Sequence, residues 1–141
     1  MKKTCVAICA MSLFLCACNG SETREKVEKE TYQINKNALL AKEVKEPAMF
    51  LTVNGSSKKN IIGQTIVKGT LTNKASIATY KDVDIKLSFF SRTKTLLETD
   101  KETIYLILDP GESRGFKTKY FAPKGTDSVA LQVLGAKIID Q

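Results

Sequence analysis

The sequence predicts an all-β fold, a single sandwich of about seven short strands over residues 48–141, preceded by a signal peptide and a charged tether. Three observations predict it. After Pro47 the chain breaks into apolar runs of strand length, separated by glycine, proline and asparagine turn signals. Residues 82–89 alternate polar and apolar with a period of two. No stretch between the runs carries the helical repeat that the crossovers of a parallel sheet require. A chain of 141 residues has room for one ordinary domain with appendages, so one core is expected.

The first element is an export signal. Lys2 and Lys3 form a short basic start, and Cys5–Ala17 is continuously apolar or small, well below the roughly 20 residues needed to span a bilayer. All four cysteines lie at or before Cys18. The run Leu15-Cys16-Ala17-Cys18 resembles the lipobox of bacterial lipoproteins, with leucine three places before the cysteine and a small residue immediately before it. Cys16 departs from the usual pattern, where Ala, Ser or Thr is commoner. The resemblance implies that residues 1–17 are removed and that Cys18 becomes N-terminal and lipid-modified. Acylation at Cys16 would place bulky Leu15 at a cleavage position that wants a small side chain. A disulfide or metal site from Cys5, Cys9, Cys16 and Cys18 would need a folded, polar surrounding, and this segment is greasy. With Cys18 bearing lipid, the mature chain keeps no free thiol and no disulfide, and its sandwich must hold by core packing. A single acyl chain binds membranes weakly, whereas the triacyl group implied here anchors stably. In enterobacteria-like sorting, Asn19 in place of Asp implies the outer membrane; the half-acidic Ser21–Glu25 leaves the periplasmic and surface sides both open.

Residues 18–47 are expected to form a lipidated N-terminus and a tether, partly helical or disordered. Glu22 with Lys26 and Glu25 with Lys29 are i,i+4 pairs in the favourable order, which supports a helix near residues 22–46. Val27, Ile34 and Leu39 are too sparse to make an apolar stripe, so the segment is expected to contribute nothing to a core. Pro47 biases Glu46 away from helix and closes the segment. A partner-binding helix around Ala38 to Val44 is the functional alternative.

The strands follow in order: Met49–Val53, Gln64–Thr72, Val83–Phe90, Thr95–Glu98, Thr103–Leu108, Gly115–Tyr120 and Val129–Ile138. About seven strands in about ninety residues is the count of an immunoglobulin-like sandwich. Val83, Ile85, Leu87 and Phe89 are expected inside, with Asp82, Asp84, Lys86 and Ser88 in water. Phe116, Thr118 and Tyr120 alternate likewise with Lys117 and Lys119. In such a sandwich the third and sixth strands are neighbours, so the outward carboxylates of Asp82 and Asp84 are expected to face Lys117 and Lys119. Asn54-Gly55-Ser56-Ser57 is expected to break the chain after the first strand. Asp109-Pro110-Gly111 and Pro123-Lys124-Gly125 are read as turns. Through "GTLTNKA" at 69–75, "DVDIKLSFFS" at 82–91, "DPGES" at 109–113 and Phe116, the domain resembles the FxLYD-type immunoglobulin-like domain of prokaryotic envelope lipoproteins, Bacteroidetes-like in character. The signature itself departs, with Leu87-Ser88-Phe89-Phe90-Ser91 standing where Phe-x-Leu-Tyr-Asp would. The resemblance implies a fold and a location in the envelope, and no activity.

Chemistry is sparse in this sequence. It contains no histidine, so the usual general base near neutral pH and the commonest transition-metal ligand are both missing. The formal charge of +7 is spread along the chain, leaving no local nucleic-acid footprint. Asp82 with Asp84, Asp100 with Glu102, and Asp109 with Glu112 are acidic pairs, yet no Asp-rich loop supplies the six to eight oxygens that calcium takes. Ser56, Ser57, Ser91 and Ser113 lack a histidine, and "GSSKKN" at 55–60 reads as an exposed loop in which no lysine would be buried and activated. Tyr80, Tyr105 and Phe121 are candidates for a sugar-stacking surface. Lys58, Lys59, Arg114, Lys117, Lys119 and Lys124 are candidates for a basic face, or for edge protection. The expectation is a non-catalytic module of the cell envelope, anchored to the membrane through covalent lipid at Cys18. It would bind an envelope protein or polysaccharide, with no nucleic-acid partner, no cofactor, and no catalytic or metal residue. The alternative is a structural subunit or assembly factor that uses a sandwich edge strand.

Overall fold

The computed structural model describes residues 21–139, with side chains from Arg24 onward, so the signal peptide and Cys18 lie outside the described residues. Helix α1 spans Ser21–Lys45. Its residues up to Ile34 belong to one compact unit and those from Asn35 onward to a second, which contains the strands. In the first unit the helix is supported locally. The expected Glu25–Lys29 ion pair forms at 2.6 Å, and the Thr31 hydroxyl donates to the Val27 carbonyl at 2.8 Å. In the second unit, Leu40 packs against the core and Glu43 is fully buried, so this part of the helix does contribute to the core, contrary to expectation. Lys45 ends the helix, and Glu46 leaves the helical region (φ −131°, ψ 63°) as the following proline requires.

Pro47–Phe50 forms a single helical turn, α2, with proline at its start, where a fixed φ and a missing N–H are both tolerated. The first strand therefore begins at Leu51 and not at Met49. Six strands follow, β1 Leu51–Lys59, β2 Thr65–Asn73, β3 Thr79–Ser91, β4 Leu96–Leu108, β5 Ser113–Tyr120 and β6 Thr126–Ile139. They form two antiparallel three-stranded sheets, ordered β1-β2-β5 and β4-β3-β6. The fold is the expected all-β sandwich, with six strands in place of about seven.

The missing strand is a merger. Apart from Thr95, Thr95–Glu98 and Thr103–Leu108 are parts of β4, which pairs with β3 through the charged stretch, Lys101 opposite Lys86 and Glu102 opposite Ile85. Merging two strands moves Gly115–Tyr120 from sixth to fifth place and into the other sheet, where it pairs with β2. The partner of the third strand is then the last one, β6. The expected contact of Asp82 and Asp84 with Lys117 and Lys119 is accordingly absent, and Lys117 stands opposite Lys68 instead. The orders correspond to strands A-B-E and C′-C-F of an immunoglobulin-like sandwich.

Asn54-Gly55 does not break the chain either. β1 runs through it because Gly55 passes too close to the opposite sheet for a side chain: a Cβ there would lie 2.7 Å from Leu131 Cδ1. The turn comes later, at Asn60–Gln64. There Asn60 Oδ1 accepts from the Ile62 and Gln64 amides at 3.0 and 2.8 Å, and Gly63 takes φ +82°. The turns at Asp109-Pro110-Gly111 and Pro123-Lys124-Gly125 form as expected, closed by Glu112 N–H to Asp109 O and Thr126 N–H to Pro123 O.

Val83, Ile85, Leu87 and Phe89 all face the core, joined by Val67, Leu71, Tyr80 and Leu108. Phe116 lies against β2, directly opposite Gly69, and the glycine leaves the space its ring occupies. Phe89 and Tyr120 meet edge-on across the sheets, with ring centroids 6.0 Å apart.

Candidate functional site

The outer face of the β4-β3-β6 sheet carries an open cleft lined by Asp82, Asp84, Lys101, Thr103, Tyr105 and Lys137, among others. A bulge builds it. The register of β3 slips between Lys81 and Val83 against β4, and between Lys81 and Asp84 against β6. Asp82 sits at this slip with φ +50°, a conformation that aspartate tolerates better than most residues. Alternation puts Asp82 and Asp84 on the same outward face, and the bulge lets Tyr80 and Val83, three residues apart, both face the core. Lys137 Nζ donates to Asp82 at 3.1 Å, Thr103 donates to Asp84, and Lys101 pairs with Asp84 at 3.3 Å.

The electrostatics of this cleft oppose proton transfer. The hydrogen bond from Thr103, helped by Lys101, holds the Asp84 carboxyl below the ordinary carboxylate range. The hydrogen bond and charge of Asp82 push the Lys137 ammonium above the usual lysine value. Both groups stay fully charged at neutral pH, which suits recognition and does not suit a general acid or base. Tyr105 stands beside them 81% exposed, an aromatic platform with one polar tip.

A second polar cluster closes the end of the sandwich where α1 arrives. The Glu43 carboxylate accepts three consecutive backbone N–H groups, from Ser76 (2.7 Å), Ile77 (3.0 Å) and Ala78 (2.8 Å). Successive amides aimed at one anion form a nest, and here the anion comes from the chain itself. The Tyr80 hydroxyl donates to the Glu43 carbonyl at 2.9 Å, and burial, with the nearby carboxylate second, pushes that phenol up to about 12. Next to it, buried Asn73 donates to the Ala78 and Leu108 carbonyls and accepts from the Ala75 amide. Its backbone carbonyl accepts from Gly111, and its N–H donates to Glu112 O. Asn73 and the Pro-Gly turn, which the sequence shows as separate pieces, thus touch. Every donor and acceptor named in this cluster is matched within the protein, which makes it an architectural joint.

The other candidates separate. Tyr80 is buried, Tyr105 lies in the cleft, and Phe121 follows β5 in the other sheet, so the three do not form one stacking surface. Glu102 faces across the sandwich and accepts from Thr118, while Asp100 accepts from the Lys101 amide. Glu112 takes the Asp109 amide and Arg114, and Asp109 takes the Thr79 hydroxyl. Among the described residues no three His, Cys, Asp or Glu side chains gather as a metal site. Lys58, Lys59, Lys119 and Lys124 share one end of the sandwich, and Arg114, paired with Glu112, stands at the other. Ser56 and Ser57 lie within β1, Ser91 caps the β3–β4 turn, and Ser113 shares a hydrogen bond with Thr72. Sequence reasoning missed Lys101, Thr103 and Lys137 as neighbours of the two aspartates, since only the register across the bulge brings them there. It also missed Glu43, whose partners lie more than thirty residues away. Among the described residues no helix is long and apolar enough to cross a membrane.

No family model matches the chain, and neither does any curated protein. Among solved structures it is similar to the Salmonella enterica trimeric lipoprotein SadB, at 12% identity and a TM-score of 0.42, over 79% of this chain and 75% of that one. A likeness so distant speaks to neither fold nor function.

Proposed function

We propose that this protein is a non-catalytic, lipid-anchored module of a bacterial cell envelope, held at the outer membrane through Cys18, whose sandwich binds a protein or glycan component. The anchor rests on the Lys2-Lys3 start, the short apolar run and the Leu15-Cys16-Ala17-Cys18 sequence. The binding role rests on one observation, the bulged outer cleft in which Asp84 and Lys137, both charged at neutral pH, flank exposed Tyr105. Carboxylates and ammonium groups that stay charged, next to an aromatic face, recognise hydroxyl-rich rings or peptide side chains and move no protons. Kinship with FxLYD-type envelope domains belongs to the same proposal.

The test is to cross-link and extract the tagged protein from its own membranes, and to identify what accompanies it by mass spectrometry. A partner that is retained by wild type and lost from a Tyr105→Ala, Asp84→Asn double variant supports the cleft. A partner retained equally by both overturns it. A Cys18→Ala variant should leave the membrane fraction, and its tight retention there would overturn the anchor.

One observation favours a second reading, an assembly subunit that accepts a strand from another protein. β4 is a 13-residue edge strand with Leu96, Leu97, Tyr105 and Ile107 exposed along it. A partner cross-linked along the backbone of β4, and not in the cleft, would select that reading.

A further inference from the structure

The end of the sandwich opposite the Glu43 joint has a composition that its own folding does not require. The β1–β2 turn at Asn60–Gln64 and the β5–β6 connection at 121–125 lie side by side there, because Thr65 pairs with both Lys59 and Tyr120. Asn60 and Gly63 fix the first turn. The two residues between them, Ile61 and Ile62, are 105% and 80% exposed, and Phe121 is 82% exposed. A hairpin tip is normally polar, and large apolar side chains standing free at adjacent tips mark a contact surface.

Cations surround these tips. Lys58, Lys59, Lys119 and Lys124 are all exposed at this end, and so are Arg92 and Lys94 in the β3–β4 turn, against Asp127 as the carboxylate closest by position in the chain. Between the end of β1 and the start of β6 lies a cleft of about 170 Å³ lined by Ser57, Lys58, Lys59, Thr65, Thr126 and Asp127. Thr65 is buried, and its hydroxyl has no hydrogen-bond partner within the protein.

We infer that this end is a docking tip for an anionic lipid bilayer, with Ile61, Ile62 and Phe121 entering the acyl boundary while the lysines meet headgroup phosphates. Protruding apolar side chains above a cationic collar match a surface that is negative outside and apolar just beneath. The tip lies at the far end of β3 from Tyr80 and Glu43, roughly 40 Å along the extended strand. It is therefore separate from the end at which α1 joins the sandwich, and the inference does not depend on lipid at Cys18.

The full chain, carried in phosphatidylcholine nanodiscs by whatever group its N-terminus bears, would be mixed with sucrose-loaded vesicles of phosphatidylcholine, with or without about a third phosphatidylglycerol. Co-sedimentation with the anionic vesicles alone is expected, falling as salt rises. An Ile61→Ser, Ile62→Ser, Phe121→Ser variant should bind roughly tenfold more weakly or worse, and so should a Lys58→Gln, Lys59→Gln, Lys124→Gln variant, while Arg114→Gln at the other end should bind as wild type. If the triple apolar variant melts below wild type, the single Ile62→Ser and Phe121→Ser variants decide. Absence of binding, or equal binding by the apolar variants, overturns the inference. Tip-dependent cross-linking between copies without vesicle binding also overturns it and names a second copy as the occupant.

Discussion

Glu43 shows how one residue can decide what a segment is. A buried carboxylate is tolerated only where donors replace water, and three adjacent amides do so here. Glu43→Ala leaves those amides facing nothing, and we expect it to lower stability by about 3 kcal/mol in urea unfolding. Tyr80 reports on the same joint through pH. Its phenol titrates at about 12 in the folded protein against 10.0 when free. The raised value means that its contribution is fully present below pH 10 and is lost as pH climbs through 12. The scale is roughly 3 kcal/mol for two pKa units, and alkaline unfolding of Tyr80→Phe should lack this step. None of this was legible beforehand, because a glutamate in a charged helix looks like its solvated neighbours. Asn73 was half legible, since it lies in "GTLTNKA", one of the stretches that carry the family resemblance.

Elements were legible where pattern alone decides them. The alternation through Val83–Phe89 was enough to place β3, because a strand buried on one face has no other way to satisfy a period of two. β4 was read as two strands, Thr95–Glu98 and Thr103–Leu108, with the charged Asp100-Lys101-Glu102 left between them, yet on an edge strand charge can stay in register. That single error displaced β5 into the wrong sheet. Asn54-Gly55 misled in the opposite direction, since a glycine required by close packing and a glycine required by a turn look alike in sequence. The close-packing role can be measured at Gly69. A Cβ there would lie 2.6 Å from the Phe116 ring and 2.9 Å from the Asn54 carbonyl oxygen, and the backbone oxygen cannot swing aside. Gly69→Ala should therefore cost about 2 kcal/mol, whereas Gly135→Ala, with nothing within 4 Å, should melt as wild type does.

At the scale of the whole molecule, the separate regions have separate chemistry. The sequence before Asn19 carries the lipobox-like run on which the anchoring proposal rests, the Glu43 joint fixes the end of α1 onto the sandwich, and the outer cleft and loop tip offer two different surfaces. The anchoring proposal comes from the sequence alone, because it depends on local residue types, and its residues lie outside the described ones. Single residues of both surfaces stood out, Asp84 and Tyr105 in one and Phe121, Lys58, Lys59, Lys119 and Lys124 in the other, but their grouping did not, because each surface is assembled from strands that only the register brings together. The central claim is that the mature protein begins at a lipid-bearing Cys18, and the most direct test is the intact mass of the protein extracted from its native membranes, with fragmentation of its first residues. The account predicts a chain starting at Cys18 whose N-terminal residue carries the added mass of its acyl groups. An unmodified Cys18, or a chain that still begins at Met1, would contradict it.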